Sequence, residues 1–247
     1  MPNFKVPDLV ELYSRPYDRK TLEWREIGAR DKASNIEALT RPVRGEIGTV
    51  LEVGCGTGMV LEKLAQRGLG HSFTGIEISD GRVATAKANS GAEIRIEPYD
   101  GRTIPFADES FDLVYATHVL EHVVDPRGFL HELRRVARRY VYVEVPCEIT
   151  AHVSHRSMQP TLNIGHINAY SPMSLALTLE TSGLVIREQR LFDGDFAVHA
   201  FGHNPLKAGL KMTLRRLVLA GAGRLAPAIF SYHCGALCEK GERLNIA

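Results

Sequence analysis

The chain predicts an α/β fold, a doubly wound parallel sheet with helices on both faces. From Thr49 to Val145, short apolar and β-branched runs alternate with stretches of helical periodicity, the pattern of consecutive βαβ units. The stretch that organises the rest is Thr49 to Gly58, TVLEVGCGTG, in which Val50, Leu51 and Val53 have the composition of a buried parallel strand. No repeat or low-complexity linker sets off a second domain, so residues 1–247 are expected to form one domain with embellishments.

The elements follow in order. Residues 1–45 read as polar and helical, with Leu9, Leu12, Tyr13, Leu22, Trp24, Ile27, Ile36 and Leu39 as inward positions. This segment is expected either to pack on the edge of the core or to form a lid contacting a ligand through Tyr17, Trp24 and Arg25. After the first strand come Gly54, Gly56 and Gly58, then a helix over Met59 to Arg67 with Val60, Leu61, Leu64 and Ala65 on one face and Gly68 as its stop. Further strands are expected at His71–Ser79, Ala92–Glu97, Phe111–Ala116 and Arg139–Val145, with helices at Gly81–Asn89 and Arg127–Arg138. Cys147 to Tyr170 reads as a long polar connection. Ser171-Pro172 starts a helix that Gly183 stops, Leu184–Phe192 is a sixth strand, residues 205–226 are a basic helical embellishment, and Ile229–Cys238 is a last strand.

Bulk properties narrow the function class. A net charge of +1 gives no electrostatic footprint for nucleic acid. Hydrophobic content of 44% suits a globular chain with a sizeable core. Cys55, Cys147, Cys234 and Cys238 show no pairing pattern, which fits a reducing, cytoplasmic setting. The N-terminal twenty residues lack the apolar core of a signal peptide, and the longest apolar candidate, Leu217 to Phe230, is too short and too interrupted to be a membrane span.

A strand, a glycine turn and a helix make a binding site for an anionic or polar ligand, because bare backbone and unpaired helix N–H groups face it. Dinucleotide sites use G-x-G-x-x-G and phosphate loops end in GK[ST]; here the spacing is G-x-G-x-G, preceded by Glu52. The segment VLEVGCGTG resembles motif I of the class I S-adenosylmethionine-dependent methyltransferases. Glu77, nineteen positions after Gly58, matches the acid that in that family binds both ribose hydroxyls. YDGRTIPFADESFDLV, Tyr99 to Val114, is similar to the family's D-x-x-x-x-P-F-x-D-x-S-F-D segment, and THVLEHVVDP, Thr117 to Pro126, looks like the signature of its type 11, ubiquinone-biosynthesis-like branch.

The resemblance implies a Rossmann-like, mostly parallel seven-stranded sheet in the order 3-2-1-4-5-7-6, with the last strand antiparallel. It implies S-adenosylmethionine as cofactor, S-adenosylhomocysteine as product, and a cofactor site of Glu52, Gly54, Cys55, Gly56, Gly58, Glu77, Ile78, Asp100, Gly101 and Thr117. Asp100 would take the adenine amino group, Gly101 or its neighbour would supply a backbone N–H, and Ile78 and Ile104 would wall the ring. The chain would divide into an N-terminal helical lid (1–45), a cofactor-binding core (46–146) and an acceptor-side half with insertions (147–247).

Methyl transfer is an in-line displacement, so alignment carries much of the catalysis. An alcohol acceptor also benefits from a general base, and His118, leaving the fourth strand beside the donor, is the first catalytic candidate; its alternative role is a pocket wall. His166, in GHINAYSP, resembles the family's H-x-x-x-[FY]-[ST]-P element and is the second candidate, with loop fixing as its alternative. Glu121 and His122 are expected to fix the turn after the fourth strand. Cys147, His152, His155 and His166 match no compact structural metal site, so no metal is expected. Cys234 and Cys238 are expected as buried thiols on one face of a strand. The cations of 205–226 suit a solvated face, an acidic acceptor or a membrane surface.

The segment YDRKTLEWREIGARDKASNIEAL, with VEVPCE, looks like a bacterial sub-branch whose members modify surface glycans or secondary metabolites. The expected function is therefore methyl transfer to a small-molecule or glycan acceptor, at oxygen. N- or C-methylation of a heterocycle or quinone is the second reading, and a cofactor-binding scaffold without catalysis the third. A monomer or homodimer with no nucleic-acid or integral membrane partner is expected.

Overall fold

The structure, a computed structural model, describes residues 4–5, 7–8, 12, 17–91 and 93–241. In chain order the elements are α1 (Arg19–Thr40), β1 (Thr49–Val53), α2 (Met59–Gln66), β2 (Ser72–Glu77), α3 (Asp80–Asn89), β3 (Ile94–Pro98), β4 (Phe111–Thr117), α4 (Pro126–Val136) and β5 (Ala137–Pro146). Then come α5 (His155–Asn163), α6 (Pro172–Glu180), β6 (Leu184–Phe192), α7 (Phe196–Ala200), α8 (Pro205–Ala222), α9 (Ala226–Ile229) and β7 (His233–Lys240).

The strands form one seven-stranded sheet in the order β3-β2-β1-β4-β5-β7-β6. Pairings from β3 through β5 are parallel, and β7 runs antiparallel to both β5 and β6. This is the predicted architecture. Its period-two side-chain alternation buries both faces. Val50, Leu113, Tyr115, Tyr142 and Leu237 pack with α1, α2 and α3, while Leu51, Val53, Val114, Val141, Val143 and Ala236 pack with α4 and α6. Cys234 and Cys238 join the second of these layers, fully buried and on one face as their spacing predicts.

Three local expectations change. The connection after β5 contains α5, which its polar composition and internal Pro160 hide; a reciprocal Ser154–Ser157 capping box starts it. The last strand begins at His233 rather than Ile229, because Pro227 opens a helical turn at α9. Of the inward positions assigned to the N-terminal segment, Ile36 and Leu39 are buried, whereas Trp24 is 41% exposed because the first half of α1 projects beyond the core. Leu9 and Tyr13 lie outside the described residues.

The parallel strands place their carboxyl ends on one edge, where open α/β sheets bind ligands. α1 is fastened over that edge by two bonds. Asn35 Nδ2 donates to Glu144 Oε2 at 3.0 Å, and the Asp195 backbone N–H donates to Asp31 Oδ2 at 2.9 Å.

Candidate functional site

A cavity of about 1310 Å³ opens at this edge. It exceeds the roughly 300–1,000 Å³ of a single small-molecule pocket, leaving room for two ligands side by side. Eleven of the twelve residues the sequence nominates line it: Glu52, Gly54, Cys55, Gly56, Glu77, Ile78, Asp100, Gly101, Thr117, His118 and His166. Gly58 does not. It caps α2 at φ +77° and donates its N–H to Cys55 O at 2.9 Å, so its contribution is to close the turn rather than to touch a ligand. Ile104 is likewise no wall of the cavity; it lies in the core, 2% exposed.

The glycine turn is built for close approach of a ligand. Gly54 and Gly56 have φ of +76° and +56°. A Cβ on Gly54 would meet Val119 Cγ2 at 2.6 Å, while one on Gly56 would occupy open cavity, with Arg25 Nη1 the nearest atom at 4.0 Å. Glu77, at the end of β2, accepts from the N–H of Gly56 at 2.9 Å on one oxygen and of Ser79 at 3.0 Å on the other. Each oxygen keeps a second lone pair, enough for the two hydroxyls of a vicinal diol. Asp100 Oδ1 is held by the N–H groups of Arg102 and Thr103, which fixes the loop that carries Gly101. Glu52 is buried with Oε2 lacking a hydrogen-bond partner. Burial pushes its pKa up to about 8.

Four imidazoles, His118, His122, His166 and His233, line the other half of the cavity, and buried carboxyl groups stand behind them. His118 Nε2 lies 3.4 Å from Glu144 Oε1, and its Nδ1 lies 3.8 Å from Glu121 Oε1. Beyond Glu144, His233 Nδ1 is 3.6 Å from the same oxygen; beyond Glu121, His166 Nε2 stands at 3.9 Å. His166 Nδ1 is bonded to Glu148 Oε1 at 2.8 Å. The Tyr142 hydroxyl donates to Glu144 Oε2 at 2.7 Å. His118 sits at φ +55°, a backbone region costly for a non-glycine residue, and its N–H is held by Glu144 O at 2.9 Å.

Burial, with the charge of Lys32, holds the pKa of His118 well below the ordinary imidazole range, so the ring is neutral at pH 7. Burial likewise lowers His233 to about 3 and raises Glu121 to about 7. At His166 burial opposes protonation, but the Glu148 hydrogen bond and the Glu121 charge outweigh it and raise its pKa.

Glu144, His233, Lys32 and Asn35 were not singled out from the sequence. Glu144 did carry a signal, as the one charge in the apolar run YVYVEV, since a charge in a buried strand demands a reason. Glu121 and His122 do fix the turn as expected: Glu121 O accepts from the N–H groups of Ile167 and Asn168, and His122 Nδ1 pairs with Gly165 O at 3.0 Å. His122 also lines the cavity. Among the described residues, potential metal ligands converge at His118, Glu144 and His233 and at Glu121, His122 and His166; of the group weighed from sequence, Cys147, His152 and His166 do not converge, and the His155 side chain lies outside the described residues.

Residues 51–143 match the family model described as a methyltransferase domain. Residues 51–143 therefore carry a methyltransferase domain of the type 11 branch. Over 120 residues it is 34% identical to O-methyltransferase cnsE of Penicillium expansum, an overlap of 46% of this chain and 39% of that protein. It is 35% identical over 85 residues to the ubiquinone biosynthesis O-methyltransferase of Methylobacterium sp. (strain 4-46), 33% of each chain. The chain thus spans well under half the length of these curated relatives. In three dimensions it is similar to a putative sarcosine dimethylglycine methyltransferase from Galdieria sulphuraria, with a TM-score of 0.61, 17% identity, and 86% and 87% of the two chains covered. The donor of this family, S-adenosylmethionine, fits the residues present: a glycine cradle that a Cβ would fill, a buried acid with a free acceptor at the turn, and a carboxylate at the end of β2 bonded to the turn backbone.

Proposed function

We propose that the protein is an S-adenosylmethionine-dependent O-methyltransferase of a small-molecule or glycan acceptor. The observation that carries the reading is His118, a neutral imidazole flanked by two buried carboxylates in the cavity that the glycine turn also lines. In this reading Gly54, Gly56, Glu77, Asp100, Gly101 and Thr117 hold the donor, with Glu52 and Cys55 beneath the turn and Ile78 against the adenine. The bound cofactor supplies an electrophilic methyl group on a sulfonium, released as S-adenosylhomocysteine.

The chain's own contribution is alignment and proton removal. Holding the acceptor oxygen about 3–3.5 Å from the methyl carbon accounts for up to roughly 7–11 kcal/mol of the barrier. His118 takes the hydroxyl proton, and the Glu144 carboxylate beside it stabilises the imidazolium that results. His166, through Glu121, positions this array. α1 acts as the lid: Tyr17, Trp24 and Arg25 line the cavity, and the Arg25 guanidinium stacks 3.9 Å over the Tyr17 ring. Residues after β5 form the acceptor side through His166, Val198 and His233. The printed names of both curated relatives support transfer to oxygen, and a hydroxyl acceptor gains from a base such as His118.

Thermal melting with S-adenosylmethionine or S-adenosylhomocysteine tests the first part. At a hundred times its dissociation constant a ligand stabilises by about 2.7 kcal/mol, or roughly 5–10 °C for a chain of this size. A flat melting point sinks the cofactor assignment. Cofactor binding with no methyl transferred to any member of a panel of phenols, sugar alcohols, amines and quinols would favour the non-catalytic scaffold.

A further inference from the structure

The helix α8 leaves four leucines facing outward. Leu206, Leu210, Leu214 and Leu217 are 85%, 74%, 51% and 65% exposed. At about 100° per residue they fall within an arc of about 80°, a continuous stripe rather than scattered surface leucines. The inner face is fixed by other residues. Ala208 is buried, and Arg215 Nε pairs with Asp193 Oδ1 at 2.7 Å while the Tyr232 hydroxyl donates to Arg215 O. Arg215 is therefore a structural cation, unlike the free surface charge its place in the sequence suggests.

The charges beside the stripe are of one sign. Lys207 and Lys211 flank it on one side and Arg216 on the other, and all three are exposed. Residues 196–232 contain no aspartate or glutamate, although the whole chain is nearly neutral at +1. A second copy of the chain docking through the same stripe would bring these cations together without a counter-charge. An anionic lipid surface satisfies both features, taking leucines at the acyl boundary and cations among its headgroups. Within the described residues no helix is long and apolar enough to cross a membrane, so the contact lies in the plane of the surface.

We infer that α8 docks the protein on anionic membrane surfaces. The stripe lies one helix away from the site: a Cβ on Gly209 of α8 would meet Phe196 Cε2 of α7 at 3.8 Å, and Val198 of α7 lines the cavity. Docking therefore brings the acceptor-side wall close to the headgroup layer.

Co-sedimentation of the full chain with vesicles of phosphatidylcholine alone, or of phosphatidylcholine with phosphatidylglycerol, tests this. The expected result is binding to the phosphatidylglycerol vesicles that weakens with salt. Lys207→Glu with Lys211→Glu should weaken it by at least tenfold, and Leu210→Glu with Leu214→Glu should abolish it. These side chains are exposed, and an unchanged melting temperature verifies that the variants fold. No binding to anionic vesicles, equal binding to both kinds, or binding indifferent to the four substitutions overturns the inference. So does a concentration-dependent dimer, seen by sedimentation velocity, that Leu210→Glu dissociates.

Discussion

His118 Nε2 and Glu144 Oε1 stand 3.4 Å apart at the ends of two adjacent parallel strands, and the Glu144 carbonyl also holds the His118 backbone N–H. One residue thus holds the backbone of the other and places a carboxyl group beside its ring. The left-handed φ of His118 follows from this double attachment, as strain of about 1–3 kcal/mol persists only where neighbours over-determine the geometry.

His118→Asn tests the proton-transfer role, because asparagine tolerates positive φ and keeps the turn. Turnover should fall by about 10²–10⁴-fold while the dissociation constant of S-adenosylhomocysteine stays within about twofold. Parallel losses in both would make His118 a pocket wall. Because the imidazole is neutral at pH 7, kcat/KM of the unmodified enzyme should keep its plateau below pH 6.5.

Glu77→Ala removes two charge-assisted acceptors and should weaken both forms of the cofactor by about ten- to a hundredfold in calorimetric titration. Since Glu77 also secures the Gly56 N–H, Glu77→Gln, which keeps one acceptor, should recover part of the loss. Equal affinity in all three proteins removes the ribose assignment.

Glu52 and Glu121 each add a contribution to stability that falls as pH rises, while the lowered His118 and His233 add one that rises up to about pH 6.5. Burial raises the two glutamates from 4.5 to about 8 and about 7, so on raising the pH the unfolded chain releases these protons first. At these two sites the native state then binds more protons than the unfolded state, and their contribution falls as pH rises from about 4.5 to about 7–8, by up to about 1.4 kcal/mol per pH unit for each group. Glu52→Gln and Glu121→Gln should each lessen the fall in melting temperature measured between pH 6.5 and 8. If both slopes equal that of the unmodified protein, the carboxyls are not held protonated.

Gly54→Ala combines a strained φ with a 2.6 Å contact to Val119 Cγ2 and should cost about 2–4 kcal/mol in denaturant unfolding. Adding Val119→Ala should return the steric part and leave the dihedral part, a coupling that a double-mutant cycle measures.

The donor side of the site was legible because its residues lie on consecutive elements with characteristic spacing. Gly54, Gly56, Glu77, Asp100 and Thr117 each end or follow a strand, and the parallel topology fixes where such ends meet. The acceptor side was not, since its members come from places that only the folded chain joins. Lys32 and Asn35 lie on a helix of weak amphipathicity, and His233 at the start of a strand whose first residue the apolar run Ile229–Phe230 obscured. Their pairing with Glu144 depends on antiparallel register and on the angle of α1, neither of which has a local signature.

The antiparallel strand β7 has a consequence for the order in which the protein is made. It follows every other strand in the chain, yet it lies inside the sheet, between β5 and β6. During synthesis the strands around the glycine turn leave the ribosome early and can pair as they emerge. The slot beside β5 stays open until residues up to Lys240 are released, and only then does His233 reach Glu144. A nascent chain can therefore assemble its donor cradle well before it owns a complete acceptor wall, and a ribosome stalled ahead of β7 would display the first without the second.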